Sequence, residues 1–348
     1  MNLLNLFLQV KYFLKAKWIF QKPEKKKFLI YDYANSNIIL KYIDKKQSTI
    51  YFTRWEEINF YILYYSVINY GLNNIRKNYK KAFFDFVDPK VVITLVSSQI
   101  AFFKLKKQFP NITFISIQNN VGTSEFIKFL KKAKNKSLSC DYFLFFSEQF
   151  RKMYKKLLLI KKKSVVIGSF RNNFYHRKFP IKKKLLFISK SNWNIKSPLN
   201  EIILLNFIVK FLKKNQMEKI DICMKTNDAR VRDYYKKNLD QKYINILKKE
   251  NNYLVTNNYE NIIFTDSTLG YECLAKGKKI VSLNLGSLNK KWCLKNSFTP
   301  INKFGYPGNF RNEGFCWSNS CDEKRVNELL SNILNMKQST FNKKIKKI

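Results

Sequence analysis

Histidine, glycine and proline are scarce in this chain of 348 residues. The single histidine, His176, and six cysteines without a CxxC pair argue against a structural zinc site, which normally combines two close pairs of such ligands. Nine glycines and seven prolines are too few for a collagen-like or low-complexity chain. The cysteine spacing indicates reduced, mostly buried thiols, and we therefore expect a cytoplasmic protein.

Acidic residues are also few, because 24 Asp and Glu stand against 66 Lys and Arg, which gives a formal net charge of +42. Nucleic-acid binding is the first interpretation of such a charge. However, only nine of the 66 basic residues are arginine, the residue that recognises phosphates and bases through paired hydrogen bonds. We therefore expect a generally anion-attracting surface. Its partners would be anionic lipid, a nucleotide or an anionic glycan, and no specific nucleic acid.

The first twenty residues contain neither an 18-residue uncharged stretch nor a signal-peptide cleavage site, so no membrane span or signal peptide is predicted there. Asn2, Asn5, Gln9 and Lys15 share one face of a helical projection, which predicts an amphipathic helix. Two interpretations stay open. The helix packs on the domain that follows, or it lies on an anionic membrane surface at the inner membrane face.

Short apolar runs rich in β-branched residues alternate with helical patterns along most of the chain. This alternation predicts parallel sheets with helices on both faces. The predicted strands cover residues 27–33, 90–96, 112–117, 142–146, 164–167, 185–189, 220–224, 261–265 and 279–283. The predicted helices cover residues 56–70, 74–86, 99–108, 124–134, 147–158, 198–214, 228–237, 268–276 and 323–335, and the last eight residues are predicted to be frayed.

A polar, basic, proline-containing segment at residues 175–184 separates two series of strands and helices. The predicted fold class is therefore α/β, with two Rossmann-like domains facing a cleft. Residues 1–178 would form the N-terminal domain, and residues 179–348 the C-terminal one.

The strongest local signal is a buried strand that ends at Asp266 and leads into a helix through Ser267, Thr268, Leu269 and Gly270. Ligands of open α/β sheets bind outside the carboxyl ends of the strands, and a helix start with small hydroxyl residues suits a phosphate group. Glu272, one turn further on, could accept both hydroxyls of a ribose. Alternatively, Asp266 or Ser267 is only a helix cap and Glu272 only complements the helix dipole.

The segment DSTLGYECLAKGKK resembles a signature of surface-carbohydrate biosynthesis proteins that assemble lipopolysaccharide or capsule. The helix that contains Glu272, with Gly277 five residues later, also resembles the donor-binding helix of GT-B glycosyltransferases. Further pieces resemble the family in the expected order: KFLIYDY, DPKVVITLV, FFKLKKQFPNITFISIQN, VVIGSFRNN, LLFISKSNW and FGYPGNFRNEGFCWSN. Two positions depart from the family pattern: Asn120 stands where it has glycine, and Ser97-Ser98 stand where it has an Asp-Asn pair.

The resemblance implies a GT-B-like glycosyltransferase that moves a sugar from a nucleotide-sugar donor to a polysaccharide, lipopolysaccharide or other glycolipid acceptor. The first domain would bind the acceptor and the second the donor, with the donor diphosphate at the start of the helix at Ser267 and the ribose on Glu272. The alternatives are a polyol-phosphate transferase of the same architecture and a non-catalytic basic protein that binds glycan or membrane.

Such a sugar transfer needs a carboxylate or histidine that deprotonates the acceptor hydroxyl. Asp32, at the end of the first predicted strand, is the first candidate base, Glu313 the second, and His176 a weaker one. The leaving phosphate needs cationic or polar groups, for which Lys190, Ser191 and Arg171 are the candidates. Because no convincing DxD-like cluster occurs, we expect a metal-independent enzyme without a cofactor.

Overall fold

A computed structural model describes residues 13–121, 127, 130–131, 138–175, 182–190, 198–225, 228–248, 250–284, 302–320 and 322–346, without the side chains of 182–183 and 198–200. The chain divides into two compact units, Met1–Arg171 and Asn172–Ile348. The sequence had placed this division after residue 178. Several predicted features lie outside the described residues: the N-terminal helix up to residue 12, most of the helix at 124–134, His176 and Ser191.

The N-terminal unit contains a six-stranded parallel sheet and a separate two-stranded one. Its strands are β1 Lys17–Ile19, β2 Phe28–Tyr31, β3 Ser48–Tyr51, β4 Glu57–Asn59, β5 Val91–Thr94, β6 Thr113–Ile117, β7 Ser139–Phe145 and β8 Leu159–Val166. Its helices are α1 Ser36–Ile39, α2 Phe60–Tyr70, α3 Ile75–Val87, α4 Ile100–Gln108 and α5 Glu148–Lys155. The short helix α6 Phe170–Phe174 crosses the division after Arg171. The large sheet has the order β3-β2-β5-β6-β7-β8, and β1 pairs in parallel with β4.

The C-terminal unit contains one seven-stranded sheet in the order β11-β10-β9-β12-β13-β15-β14. These strands are β9 Lys182–Ser189, β10 Ile220–Met224, β11 Ile244–Ile246, β12 Tyr259–Phe264, β13 Lys279–Leu283, β14 Glu313–Gly314 and β15 Trp317–Ser318. All pairs are parallel except β14 with β15. The helices are α7 Pro198–Lys214, α8 Ala229–Asn238, α9 Asn252–Asn257, α10 Thr268–Ala275, α11 Glu323–Asn335 and α12 Gln338–Ile345.

The central strands are apolar on both faces because helices cover both sides of each sheet. In the C-terminal unit Leu186, Phe187, Ile262 and Ile263 are buried, and they belong to the core that also includes residues of α7 and α11. The predicted α/β class with two Rossmann-like units is therefore confirmed.

Two local predictions are wrong. The predicted helix at 56–70 begins only at Phe60, because residues 57–59 pair with Lys17–Ile19, which the sequence had placed in the N-terminal helix. The end of the chain, predicted to be frayed, forms α12, in which Phe341 is buried against Phe315, with ring centroids 5.6 Å apart.

Candidate functional site

The C-terminal sheet has a topological switch point between β9 and β12. From β9 the chain proceeds to β10 and β11 on one side, whereas β12 and β13 lie on the other. The residues that follow two such strands meet at the carboxyl edge of the sheet, which is where open α/β folds bind ligands. Here the Lys190 Nζ atom, directly after β9, lies 3.0 Å from Asp266 Oδ2, two residues after β12. Asp266 is buried and also accepts a hydrogen bond from the Asn302 backbone N–H.

A second carboxylate, Glu201 of α7, fixes the end of β9. It is 2% exposed and accepts hydrogen bonds from the Ser189 hydroxyl and the Lys190 backbone N–H, each at 2.7 Å, and from the Tyr235 hydroxyl. A buried carboxylate needs such partners, and these hold the backbone from which Lys190 projects. The sequence analysis missed Glu201, although it is the only acidic residue in α7, a helix that is apolar along most of its length.

Lys225 follows β10, the neighbour of β9, and its backbone N–H donates to the Ser189 carbonyl. Burial, and secondly the positive charge of Lys190, lowers the pKa of Lys225. Lys190 already pairs with Asp266, and Lys225 adds a second positive charge at the same sheet edge. Sequence reasoning missed Lys225 because its relation to Lys190 depends on strand order.

Helix α10 begins at the same edge, with Ser267 as its N-cap residue. The start of a helix carries partial positive charge, which attracts anions. Gly270 allows this helix to lie close to β12, since a Cβ atom there would be 2.2 Å from the ring of Phe264. The residues predicted to hold a phosphate thus lie at the carboxyl edge of the sheet, where Lys190 meets Asp266.

Glu272 is buried one turn into α10. The Tyr253 hydroxyl donates to Glu272 Oε2 at 2.6 Å, and Asn172 Nδ2 donates to the Glu272 carbonyl at 2.8 Å. Tyr253 in turn stacks on Tyr175, with ring centroids 5.0 Å apart. Glu272 therefore has a structural hydrogen-bond partner, and its ribose contact stays a prediction.

In the N-terminal unit Asp32 lies just beyond β2, at the switch point between β2 and β5. Its backbone has a φ of 91°, which is unusual for a residue other than glycine. The carboxylate is buried and accepts hydrogen bonds from the Ala34 N–H, the Thr53 hydroxyl at 2.6 Å and the Gln99 amide, and it pairs with Arg54. These partners already occupy the carboxylate oxygens of Asp32, and its role as a base stays a prediction.

Glu313 and Arg171 are the other candidates that the structure describes. Glu313 lies in the β14–β15 hairpin, where it is exposed, accepts from Ser320 and pairs with Arg325. Arg171, the last residue of the N-terminal unit, donates to the Asn119 carbonyl. Asn120 does not adopt a left-handed φ, so the glycine that the resemblance implies there is not required by the backbone.

Among the residues that the structure describes, no group of three or more His, Cys, Asp and Glu side chains could hold a metal ion. Within the same residues, no helix has the length and apolarity to cross a lipid bilayer.

Residues 196–348 match the model of a protein family described as "putative O-antigen biosynthesis protein". Among solved structures, the chain is similar to the UDP complex of MnaA from S. aureus, with 11% identity over 90% of both chains and a TM-score of 0.52. It is also similar to the UDP-GlcNAc 2-epimerase from Neisseria meningitidis bound to UDP-GlcNAc, with 12% identity over 92% of this chain and 98% of the other, and a TM-score of 0.52. No curated protein matches the chain.

The two solved structures show the fold class of this chain, a GT-B-like fold built from two Rossmann-like units. The match to the O-antigen family model covers the C-terminal segment, which includes β12 and α10. The resemblance drawn from DSTLGYECLAKGKK to surface-carbohydrate biosynthesis proteins is thereby confirmed.

Proposed function

We propose that this protein is a glycosyltransferase that moves a sugar from a nucleotide-sugar donor to a surface-polysaccharide or lipopolysaccharide acceptor. The observation that carries the proposal is the carboxyl edge of the C-terminal sheet, where Lys190 pairs with Asp266 and α10 begins. Asp266 and α10 belong to the segment that matches the O-antigen family, residues 196–348. Among the residues that the structure describes, four cysteines are buried and free: Cys140, Cys223, Cys273 and Cys316. Free thiols are typical of a reducing compartment such as the cytoplasm.

In this proposal the C-terminal unit binds the donor. The diphosphate lies at the start of α10, where Lys190 and Lys225 neutralise the charge that develops as the nucleotide leaves. Glu272 accepts the ribose hydroxyls, with Tyr253 orienting its carboxylate. Asp32 or Glu313 takes the proton of the acceptor hydroxyl. The reaction needs neither a metal ion nor a cofactor, so chelation with EDTA is expected to leave the transfer rate unchanged.

Lys225→Met tests the phosphate end of this site. We expect the affinity for a nucleoside diphosphate to fall about tenfold, the usual effect of losing one charge-assisted contact, while the affinity for the matching nucleoside stays the same.

The pKa of Lys225 is lowered from the usual value for lysine. In the parent protein the diphosphate affinity should therefore fall as the pH rises through this lowered pKa, because Lys225 then loses its charge. Isothermal titration with UDP, CDP, GDP and CMP measures both effects.

Lys213→Met is the matched control, because Lys213 pairs with Asp240 and follows none of the strands at the carboxyl edge. Equal diphosphate affinity in Lys225→Met and the parent protein would contradict the placement of the phosphates. A protein that binds none of the four nucleotides would instead be the non-catalytic basic binding protein.

A nucleotide-sugar 2-epimerase is the second candidate, favoured by the likeness to the N. meningitidis enzyme along nearly all of both chains. The two functions differ in one requirement, because an epimerase converts its nucleotide sugar alone whereas a transferase needs an acceptor. NMR of UDP-GlcNAc incubated with the protein alone would reveal a new sugar isomer for an epimerase. Product formation only after addition of a lipopolysaccharide or polysaccharide acceptor would identify the transferase.

A further inference from the structure

Helix α2 exposes an apolar face that no described part of the chain covers. Residues 58–75 contain no charged side chain, although 26% of the whole chain is charged. Ile62 and Ser66 of α2 face the protein interior. On the other side, Tyr64 is 62% exposed and Ile68 66% exposed, and Phe60 and Tyr61 are also exposed. The helical spacing places these four residues on one side of α2.

Phe20, which follows β1, extends this face and is 66% exposed. Its ring centroid lies 5.7 Å from that of Phe60, and Phe60 stacks on Tyr64 at 6.4 Å. We call these five residues, Phe20, Phe60, Tyr61, Tyr64 and Ile68, the aromatic patch. Together with Leu72 they make up six of the eleven exposed large apolar side chains among the described residues. A contiguous patch of this kind on a soluble unit marks an interaction surface.

The chemistry of the patch and of the chain around it indicates the partner. Tyrosine is enriched at membrane–water interfaces, and phenylalanine is common on the apolar face of interfacial helices. Lys17 and Lys22 flank Phe20 in the sequence and are both exposed, with Lys17 paired to Glu57. The whole chain carries a net charge of +42. Basic residues beside an exposed apolar face attract it to anionic lipid. With eleven residues, α2 is about 16 Å long, so it can lie on a bilayer whose hydrocarbon core is about 30 Å thick but cannot span it.

We propose that the aromatic patch of the N-terminal unit docks this protein onto an anionic lipid bilayer. The aromatic and aliphatic side chains enter the headgroup region, and the surrounding lysines pair with lipid phosphates. This surface shares only Phe20 with the amphipathic N-terminal segment that the sequence suggested for membrane contact, and its other four residues belong to α2. The proposal does not depend on the sugar-transfer function, because no patch residue belongs to the candidate donor site.

Vesicle co-sedimentation tests the proposal, using phosphatidylcholine vesicles with and without phosphatidylglycerol. We expect the parent protein to bind the phosphatidylglycerol vesicles far better, and binding to weaken as salt is added. The triple variant Phe20→Ser, Tyr64→Ser, Ile68→Ser should bind at least about tenfold more weakly, because three exposed apolar side chains are lost. Leu159→Ser with Val166→Ser is the matched control, since both residues are exposed on the edge strand β8.

Thermal unfolding and nucleotide titration establish that each variant is folded and that the donor site is intact. Equal vesicle binding by the triple variant and the parent would overturn the proposal, as would absence of binding to phosphatidylglycerol vesicles by the parent. Light scattering coupled to gel filtration tests whether a second copy of the chain, instead of a lipid bilayer, covers the aromatic patch. A parent dimer that the triple variant converts to a monomer would assign the patch to self-association and would also overturn the proposal.

Discussion

At the scale of single residues, a substitution at Glu272 tests whether the donor binds at α10. Glu272→Gln keeps the shape of the side chain but removes its charge, so we expect nucleotide affinity to weaken by about 1.5–3 kcal/mol if the carboxylate holds the ribose. Isothermal titration with the cognate nucleotide measures this loss.

Tyr253→Phe is the control for the structural role of Glu272, because it removes only the hydroxyl that donates to Glu272 Oε2. If Glu272 serves only this hydrogen bond, both variants will lower the melting temperature and neither will change nucleotide affinity. That result would remove the ribose contact from the proposed site.

The members of the candidate site could be predicted where they are neighbours in the sequence. The segment DSTLGYECLAKGKK indicated Asp266, Ser267, Gly270 and Glu272, which lie within seven residues after one strand. Glu201 and Lys225 could not be found in this way, because their relation to Lys190 depends on the packing of α7 and on the pairing of β9 with β10. The saturation of Asp32 by Thr53 and Gln99 likewise depends on contacts between distant segments.

At the scale of elements, the fit of α10 against β12 depends on Gly270. A Cβ atom at this position would overlap the buried ring of Phe264, so Gly270→Ala should cost about 1–3 kcal/mol of unfolding free energy and displace the start of α10. Chemical denaturation measures the cost. In the double variant Gly270→Ala, Phe264→Leu the total cost should be smaller than the sum of the two single costs, because the smaller side chain makes room. Strict additivity would show that the two residues do not compete for space.

Helix α12 gives a second prediction at this scale. Phe341 is 1% exposed, so Phe341→Ala should lower the unfolding free energy by about 3–5 kcal/mol, as for other buried aromatic residues. Lys343→Ala in the same helix is the control and should have little effect, because Lys343 is exposed. A Phe341→Ala variant with the stability of the parent would mean that the tail is frayed, as its lysine-rich sequence had suggested.

Elements were easiest to predict where burial on both faces gives a short, mostly apolar segment, as in Ile220–Met224 and Lys279–Leu283, whose bounds were predicted correctly. They were missed where tertiary pairing decides the conformation. Residues 57–59 directly precede α2 but pair with β1, and Asn59 then caps the helix by accepting from the Ile62 N–H at 3.2 Å. No local periodicity contains that information.

At the scale of the whole molecule, the charge of +42 sets the behaviour toward polyanions. Since lysine supplies most of this charge, we expect binding to DNA or RNA to be weak, independent of sequence and steeply reduced by salt. Fluorescence anisotropy with several unrelated oligonucleotides at increasing salt concentration measures this. A tight, sequence-selective complex at physiological salt would contradict it and would point to a nucleic-acid function.

The pairing of β1 with β4 has a practical consequence for anyone who shortens the chain. Removing the first twenty residues, as a means of eliminating an apolar N-terminus, would also remove Lys17–Ile19 and leave the edge of Glu57–Asn59 without its partner strand. Open strand edges recruit strands from other molecules. The truncated protein should therefore aggregate more readily than the full chain, although the deletion removes the exposed side chains of Leu14 and Phe20. A truncation after residue 12 would keep the two-stranded sheet.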